Sequence, residues 1–148
     1  MVDILHKVGV KAASVDQVYD ALTTIDGLGK WWTTDTRGKS DVGGVIHFQF
    51  EAGFFDMKVL ASERGKRVLW EVVDGPSEWI GTKVSWNLER DGNYVKVMFK
   101  HEGWREPSDF MHHCSSKWAS FLFSLKALVE TGRGAPHPHD VRIFDEKQ

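Results

Sequence analysis

Residues 107–132 read PSDFMHHCSSKWASFLFSLKALVETG, and this stretch decides the fold. Phe110, Cys114, Trp118, Phe121, Leu122, Leu125, Leu128 and Val129 recur at three- and four-residue steps, one apolar stripe along a helix. Pro107 suits the first turn, with polar Ser108 and Asp109 beside it. Gly132 stands where a C-terminal cap is expected. At about 1.5 Å per residue the helix runs roughly 33 Å. A helix that long with a single apolar stripe needs something extended to lie against.

The partner comes from residues 45–101, where the period changes to two. Ile46, Phe48 and Phe50 alternate with His47, Gln49 and Glu51, and then come Phe55, Met57, Val59 and Ala61. Val68, Trp70 and Val72 follow, ended by Asp74-Gly75-Pro76. Val84, Trp86 and Leu88 alternate with Ser85, Asn87 and Glu89. Asp91-Gly92-Asn93 signals a hairpin before Val95, Val97, Phe99 and His101. These are antiparallel strands with one wet face, carrying Lys58, Glu71, Lys96 and Lys100, and one apolar face.

Ahead of them, Ile4 to Val10 reads as a strand. Ser14-Val15-Asp16-Gln17 has the form of a capping box, and Val15, Val18, Tyr19 and Leu22 share one helical face. A second short helix carries Leu28 to Trp32, and Gly38, Gly43 and Gly44 mark the turn after it. Adjacent Trp31 and Trp32 point in different directions on a helix, so one is expected to anchor in the core while the other either packs under the following loop or covers a pocket mouth. The predicted class is α+β: a curved antiparallel sheet of about six strands wrapped around the long C-terminal helix, with two short helices after the first strand. Residues 1–140 form one domain, and 141–148 read as a polar tail.

Composition narrows the function. The 148 residues carry 19 Lys and Arg against 21 Asp and Glu, a formal charge of −2. That balance lacks the basic excess a phosphate-backbone binder needs, so no nucleic-acid partner is expected. No apolar run approaches a membrane span. One cysteine, Cys114, excludes an internal disulfide and a multi-thiolate zinc site. A cytoplasmic protein follows from these readings. The unusual feature is aromatic, with seven Trp and nine Phe but only two Tyr.

Gly27-Leu28-Gly29-Lys30-Trp31-Trp32, Val42-Gly43-Gly44, Val68-Leu69-Trp70 and His101-Glu102-Gly103-Trp104 occur in that order. With Trp118, Ser124-Leu125-Lys126, Glu130-Thr131-Gly132, Gly134 and Pro136 they resemble START-like (SRPBCC) proteins. The subgroup is the one named for the heat-shock protein 90 ATPase activator homologue domain. The resemblance covers roughly residues 3 to 140 and implies the helix-grip fold. It implies less about activity, because that fold hosts lipid carriers, hormone receptors, polyketide cyclases and co-chaperone domains.

A sheet curled around a helix leaves space toward one end. The residues expected to line it are Trp32, Phe48, Phe50, Met57, Trp70, Trp86 and Phe99 from the front of the chain and the sheet. His101, Phe110, Cys114, Trp118 and Phe121 join them. His101, which ends an inward row, is the candidate polar handle or general base. Each buried indole N–H needs a polar atom nearby. No metal or cofactor is expected: His112, His113 and Cys114 lack the i, i+4 ligand spacing, and His137-Pro138-His139 offers at most adventitious metal binding. Phosphate loops, nucleophile elbows and dinucleotide fingerprints are absent.

The expected function is binding of a small hydrophobic or aromatic molecule between sheet and helix, without catalysis. The alternatives are a cyclase-like or hydratase-like enzyme using His101 in the same pocket, and a co-chaperone-like interaction module. An exposed edge strand leaves a homodimer open.

Overall fold

The computed structural model describes residues 1–144. Strand β1 (Val2–Lys11) is followed by helices α1 (Val15–Thr23) and α2 (Ile25–Trp31). Six strands then run β2 (Asp35–Gly38), β3 (Val45–Gln49), β4 (Phe54–Glu63), β5 (Arg67–Asp74), β6 (Lys83–Asp91) and β7 (Tyr94–Trp104). Helix α3 (Asp109–Thr131) ends the regular structure. All strand pairs are antiparallel, in the order β1-β7-β6-β5-β4-β3-β2, and the sheet grips α3 in the helix-grip manner. Of the tail expected over 141–148, residues 145–148 lie outside the described residues.

The alternating rows are where the sequence puts them. Ile46, Phe48, Met57, Val59, Val68, Trp70, Val72, Val84, Trp86, Val95, Val97 and Phe99 are all buried on the concave face. The strand count is seven rather than about six, and the added strand is β2. Its four residues, Asp35-Thr36-Arg37-Gly38, are too few and too polar to show a period. It forms because Gly38 allows a close crossing. Its φ is +119°, and a Cβ there would stand 2.2 Å from the Val45 carbonyl oxygen, so only glycine fits.

The helix ends follow local chemistry. Gln17 Oε1 accepts from the backbone N–H of Ala13 (2.8 Å) and Ser14 (3.3 Å), opening α1. The α3 cap is Ser108, whose hydroxyl accepts from Met111 N–H at 3.1 Å. Pro107 therefore precedes the cap instead of lying in the first turn. Gly132 closes α3 at φ +87°.

Outer strand β1 is tied to α3. Lys126 donates to the Gly9 carbonyl, and Glu130 accepts from Lys11 N–H at 2.7 Å. Such side chains blunt an edge that would otherwise template pairing with another chain.

Of the two alternatives for the Trp31-Trp32 pair, the structure packs both side chains. Both are buried, at 0% and 2% exposure, with ring centroids 5.9 Å apart and planes within 11°. The cause is the helix end: Trp31 is the last residue of α2 and Trp32 its C-cap, with ψ −70°. Trp31 turns back to donate its indole N–H to Ala21 C=O at 2.8 Å, while Trp32 packs under the sheet.

Candidate functional site

A cavity of about 500 Å³ opens between α3, the β3–β4 turn, the β5–β6 loop and the chain that follows α3. This is within the range of small-molecule sites. Six α3 residues reach it: Phe110, His113, Cys114, Lys117, Trp118 and Phe121. Their spacing places all six on one helical face. Opposite stand Trp32, Phe50, Phe54, Phe55 and Trp79, with Glu51, Ala52 and Gly53 at the turn. Phe55 and Trp79 stack at 3.9 Å and 14°, and Trp79 runs within 19° of Trp118 at 5.9 Å.

Of the twelve sequence-derived lining residues, Trp32, Phe50, Phe110, Cys114, Trp118 and Phe121 meet at this cavity. Phe48, Met57, Trp70, Trp86, Phe99 and His101 lie behind them in the packed core, each no more than 2% exposed. The aromatic rows are long enough to do both jobs: their central members fill the grip, and only those toward one end border the open space.

His101 belongs to the core half. Trp118 Nε1 donates to its Nδ1 at 3.1 Å, and an indole nitrogen can only donate. The ring proton therefore sits on Nε2, which donates to Thr82 Oγ1 at 2.8 Å, and Thr82 in turn donates to the Trp79 carbonyl. Burial pushes the His101 pKa down to about 3, so the imidazole stays neutral. With both nitrogens bonded and no face on the cavity, it is not placed to act as a base there. Its effect is to fix two cavity walls, Trp118 directly and the Trp79 loop through Thr82.

The indoles of Trp31 and Trp118 have the partners the sequence reading required. Those of Trp79, Trp86 and Trp104 have none among the described residues. The Trp79 N–H lies beside the Cys114 sulfur, a weak acceptor, without hydrogen-bond geometry. Burial raises the Cys114 thiol pKa to about 12, so it stays protonated and unreactive.

The last wall is the chain after α3. Gly134 passes so close to α2 and α3 that a Cβ would stand 2.6 Å from the Lys30 carbonyl oxygen and 2.9 Å from that of Ser124. Ser124 Oγ donates to Trp31 C=O (2.7 Å) and accepts from Ala135 N–H (2.7 Å). His137 N–H donates to Trp32 C=O at 2.8 Å, and Thr34 N–H donates to His137 C=O at 3.1 Å. The segment thus forms a strap, and His137, Pro138, Asp140 and Arg142 face the cavity.

The strap's polar groups satisfy one another. Glu51 N–H donates to His137 Nε2 at 3.2 Å, which leaves His137 Nδ1 to donate to Asp140 at 3.0 Å. Lys117 donates to Asp140 and to Val141 C=O. Burial works to raise the Asp140 pKa, but the Lys117 hydrogen bond and charge, helped by His137, hold it below the usual carboxylate range. Sequence reasoning missed Trp79, which sits in an irregular loop, and the strap, whose polar residues show no period. His113 and Lys117 were legible in principle, since they flank the α3 stripe at i+3 and i+7 from Phe110. Among the described residues no group of three or more His, Cys, Asp or Glu is arranged to hold a metal ion. No helix there is long and apolar enough to cross a membrane.

Comparison with known proteins extends the picture. The solution structure of the Aha1 dimer from Colwellia psychrerythraea is 47% identical and superposes with a TM-score of 0.85, covering 90% of this chain and 100% of that one. CalU16 from Micromonospora echinospora shares 18% identity at a TM-score of 0.77, over 98% of this chain and 76% of its own. A Mesorhizobium loti protein shares 17% at 0.74, over 86% and 96%. These last two show the fold alone. Among curated proteins none matches. The sequence profile of the activator of Hsp90 ATPase homolog 1-like proteins matches residues 12–130. With that span and the Colwellia likeness, the chain belongs to the activator of Hsp90 ATPase homolog 1-like family, within the START-like superfamily.

Proposed function

We propose that the protein binds a small hydrophobic or aromatic molecule in the cavity between α3 and the end of the sheet. The observation that carries this reading is the contrast between the two halves of the aromatic rows. Phe48, Trp70, Trp86 and Phe99 are buried behind the cavity, whereas Phe50, Phe55 and Phe110 are only half-buried and, with the nearly buried Trp32, Trp79, Trp118 and Phe121, border about 500 Å³ of open space. Aromatic surface left half-open around a concavity of that size is what a small-molecule site presents. The test is a thermal-shift panel of fatty acids, sterols, flavonoids and polyketide-like aromatics. A ligand at about 100 times its Kd adds roughly 2.7 kcal/mol, which raises Tm by roughly 5 to 10 °C in a domain of this size. No shift from any class would remove the reading.

The Colwellia relative is described as a dimer, and we extend a homodimer to this chain, testable by light scattering on the purified protein. The family's description supports a second reading, contact with a chaperone-type partner. The single cysteine, a free buried thiol, agrees with a reducing, cytoplasmic setting.

A further inference from the structure

The cavity wall has a chemical bias that narrows its ligand, given the binding reading above. Among the described residues no Leu, Ile, Val or Met side chain lines it, although the buried core of the domain as a whole holds many of them. The cavity's apolar surface is mostly aromatic ring, and four of the rings include near-parallel neighbours, while Phe50 and Phe121 stand edge-on to Trp32 at 63° and 68°. Phe55 lies within 14° of Trp79, Trp79 within 19° of Trp118, and Trp32 within 7° of Phe55. Such walls are stiff and flat. They match the quadrupole and thickness of a planar ring system, whereas a flexible acyl chain is better held by branched aliphatic groups that conform around it.

The polar side of the wall is equally selective. Lys117, Asp140, His137 and the Glu51 N–H are bonded to one another. His113 is different. It lines the cavity with its ring centroid 6.3 Å from that of Phe110 and the two planes within 9° of parallel, and neither nitrogen has a hydrogen-bond partner among the described residues. Partial burial, and next the Lys117 charge one turn along α3, lower its pKa, with Asp109 opposing. A neutral imidazole offers one donor and one acceptor, which is what a hydroxyl group requires. A ligand carboxylate would meet a Lys117 already paired and would lie near Asp140. A cation would face Lys117 and Arg142.

We propose that the cavity takes a planar hydroxyaromatic molecule, its rings against the Phe55, Trp79 and Trp118 walls and its hydroxyl hydrogen-bonded to the His113 imidazole. His113 is then the group that sets specificity within the site.

The experiment compares 2-naphthol, 2-methylnaphthalene, 2-naphthoate and decanoate by calorimetric titration at neutral pH. The wild-type protein, His113→Phe and His113→Gln are each tested. In the wild type 2-naphthol binds about fivefold tighter than 2-methylnaphthalene, the advantage of one neutral hydrogen bond, and both bind tighter than the two carboxylates. His113→Phe makes the two neutral probes equal while 2-methylnaphthalene keeps its affinity, and His113→Gln retains part of the preference. Equal wild-type affinity for the two neutral probes, or a preference that survives in His113→Phe, overturns the hydroxyl assignment and leaves the binding reading standing. Tightest binding by 2-naphthoate or decanoate overturns the ligand class. If none of the four binds, the hydroxyaromatic assignment is overturned, and the binding reading is decided separately by the wider thermal-shift panel.

Discussion

The indole nitrogen of Trp118 donates to Nδ1 of His101 across 3.1 Å, inside a core where His101 has no exposed surface. This bond joins the packed half of the domain to the open half, because Trp118 is both a core residue and a cavity wall. The histidine that the sequence marks as a polar handle acts one layer back, on a residue of the cavity wall.

Replacing His101 with Phe would leave the Trp118 N–H without a partner and remove the donor to Thr82, whose hydroxyl keeps its own bond to the Trp79 carbonyl. Losing a buried hydrogen-bond partner costs about 1–3 kcal/mol, and stability is expected to fall by about that much. Urea denaturation measures this. A loss below about 1 kcal/mol would show that the network is not holding the two walls.

The same histidine sets a pH dependence. Its folded pKa of about 3 lies below an unfolded value near 6.5, so at lower pH the unfolded chain binds the extra proton. The contribution is complete above about pH 6.5 and is lost as pH falls toward 3, at about 1.4 kcal/mol per unit. Stability measured from pH 7 to 4 should fall with a component of that slope, and His101→Gln should remove it. An unchanged slope in the variant would assign the acid sensitivity to other groups.

Asp140 pins the strap to α3 through Lys117 and to the β3–β4 turn through His137. In Asp140→Asn the strap should open more often. Exchange of the Thr34 and His137 amide protons, which close the strap's two backbone hydrogen bonds, is expected to speed up while core strand amides stay protected. Unchanged exchange at both positions would mean that Gly134, Ser124 and the backbone bonds hold the strap without the ion pair.

Gly38→Ala should unpair β2. The positive φ and the close Val45 carbonyl together cost about 1–3 kcal/mol or more. Cross-strand contacts between Thr36 and Phe48, read by NMR, should weaken in the variant. Their full retention would show that the turn accommodates the methyl group.

The fold was legible because its two main signals are long. The α3 stripe runs from Phe110 to Val129, and the inward rows repeat over five strands, so burial on one face imprints a clear period. Strand β2 was not legible, since four polar residues carry no period and its pairing depends on a close approach at Gly38. The α3 wall of the site, through Phe110, Cys114, Trp118 and Phe121, was legible for the same reason as α3 itself. The other walls depend on where irregular chain goes. Trp79 reaches the cavity through a loop held by Thr82, and His137 through a parallel bridge to Thr33. Neither pairing leaves a local pattern. The aromatic rows named the right kind of wall but not where it stops being core, because depth along a curved sheet is a tertiary property.

The central claim is that the open half of the aromatic rows receives a ligand. Its most direct test is a titration of the 15N-labelled protein with 2-methylnaphthalene, read at the seven tryptophan indole resonances. The resonances of Trp32, Trp79 and Trp118, which line the cavity, should shift and saturate together. That of Trp31, bonded to Ala21 away from the cavity, should stay in place. Indole resonances that all remain fixed at saturating probe, or that move only outside the cavity wall, would contradict the account.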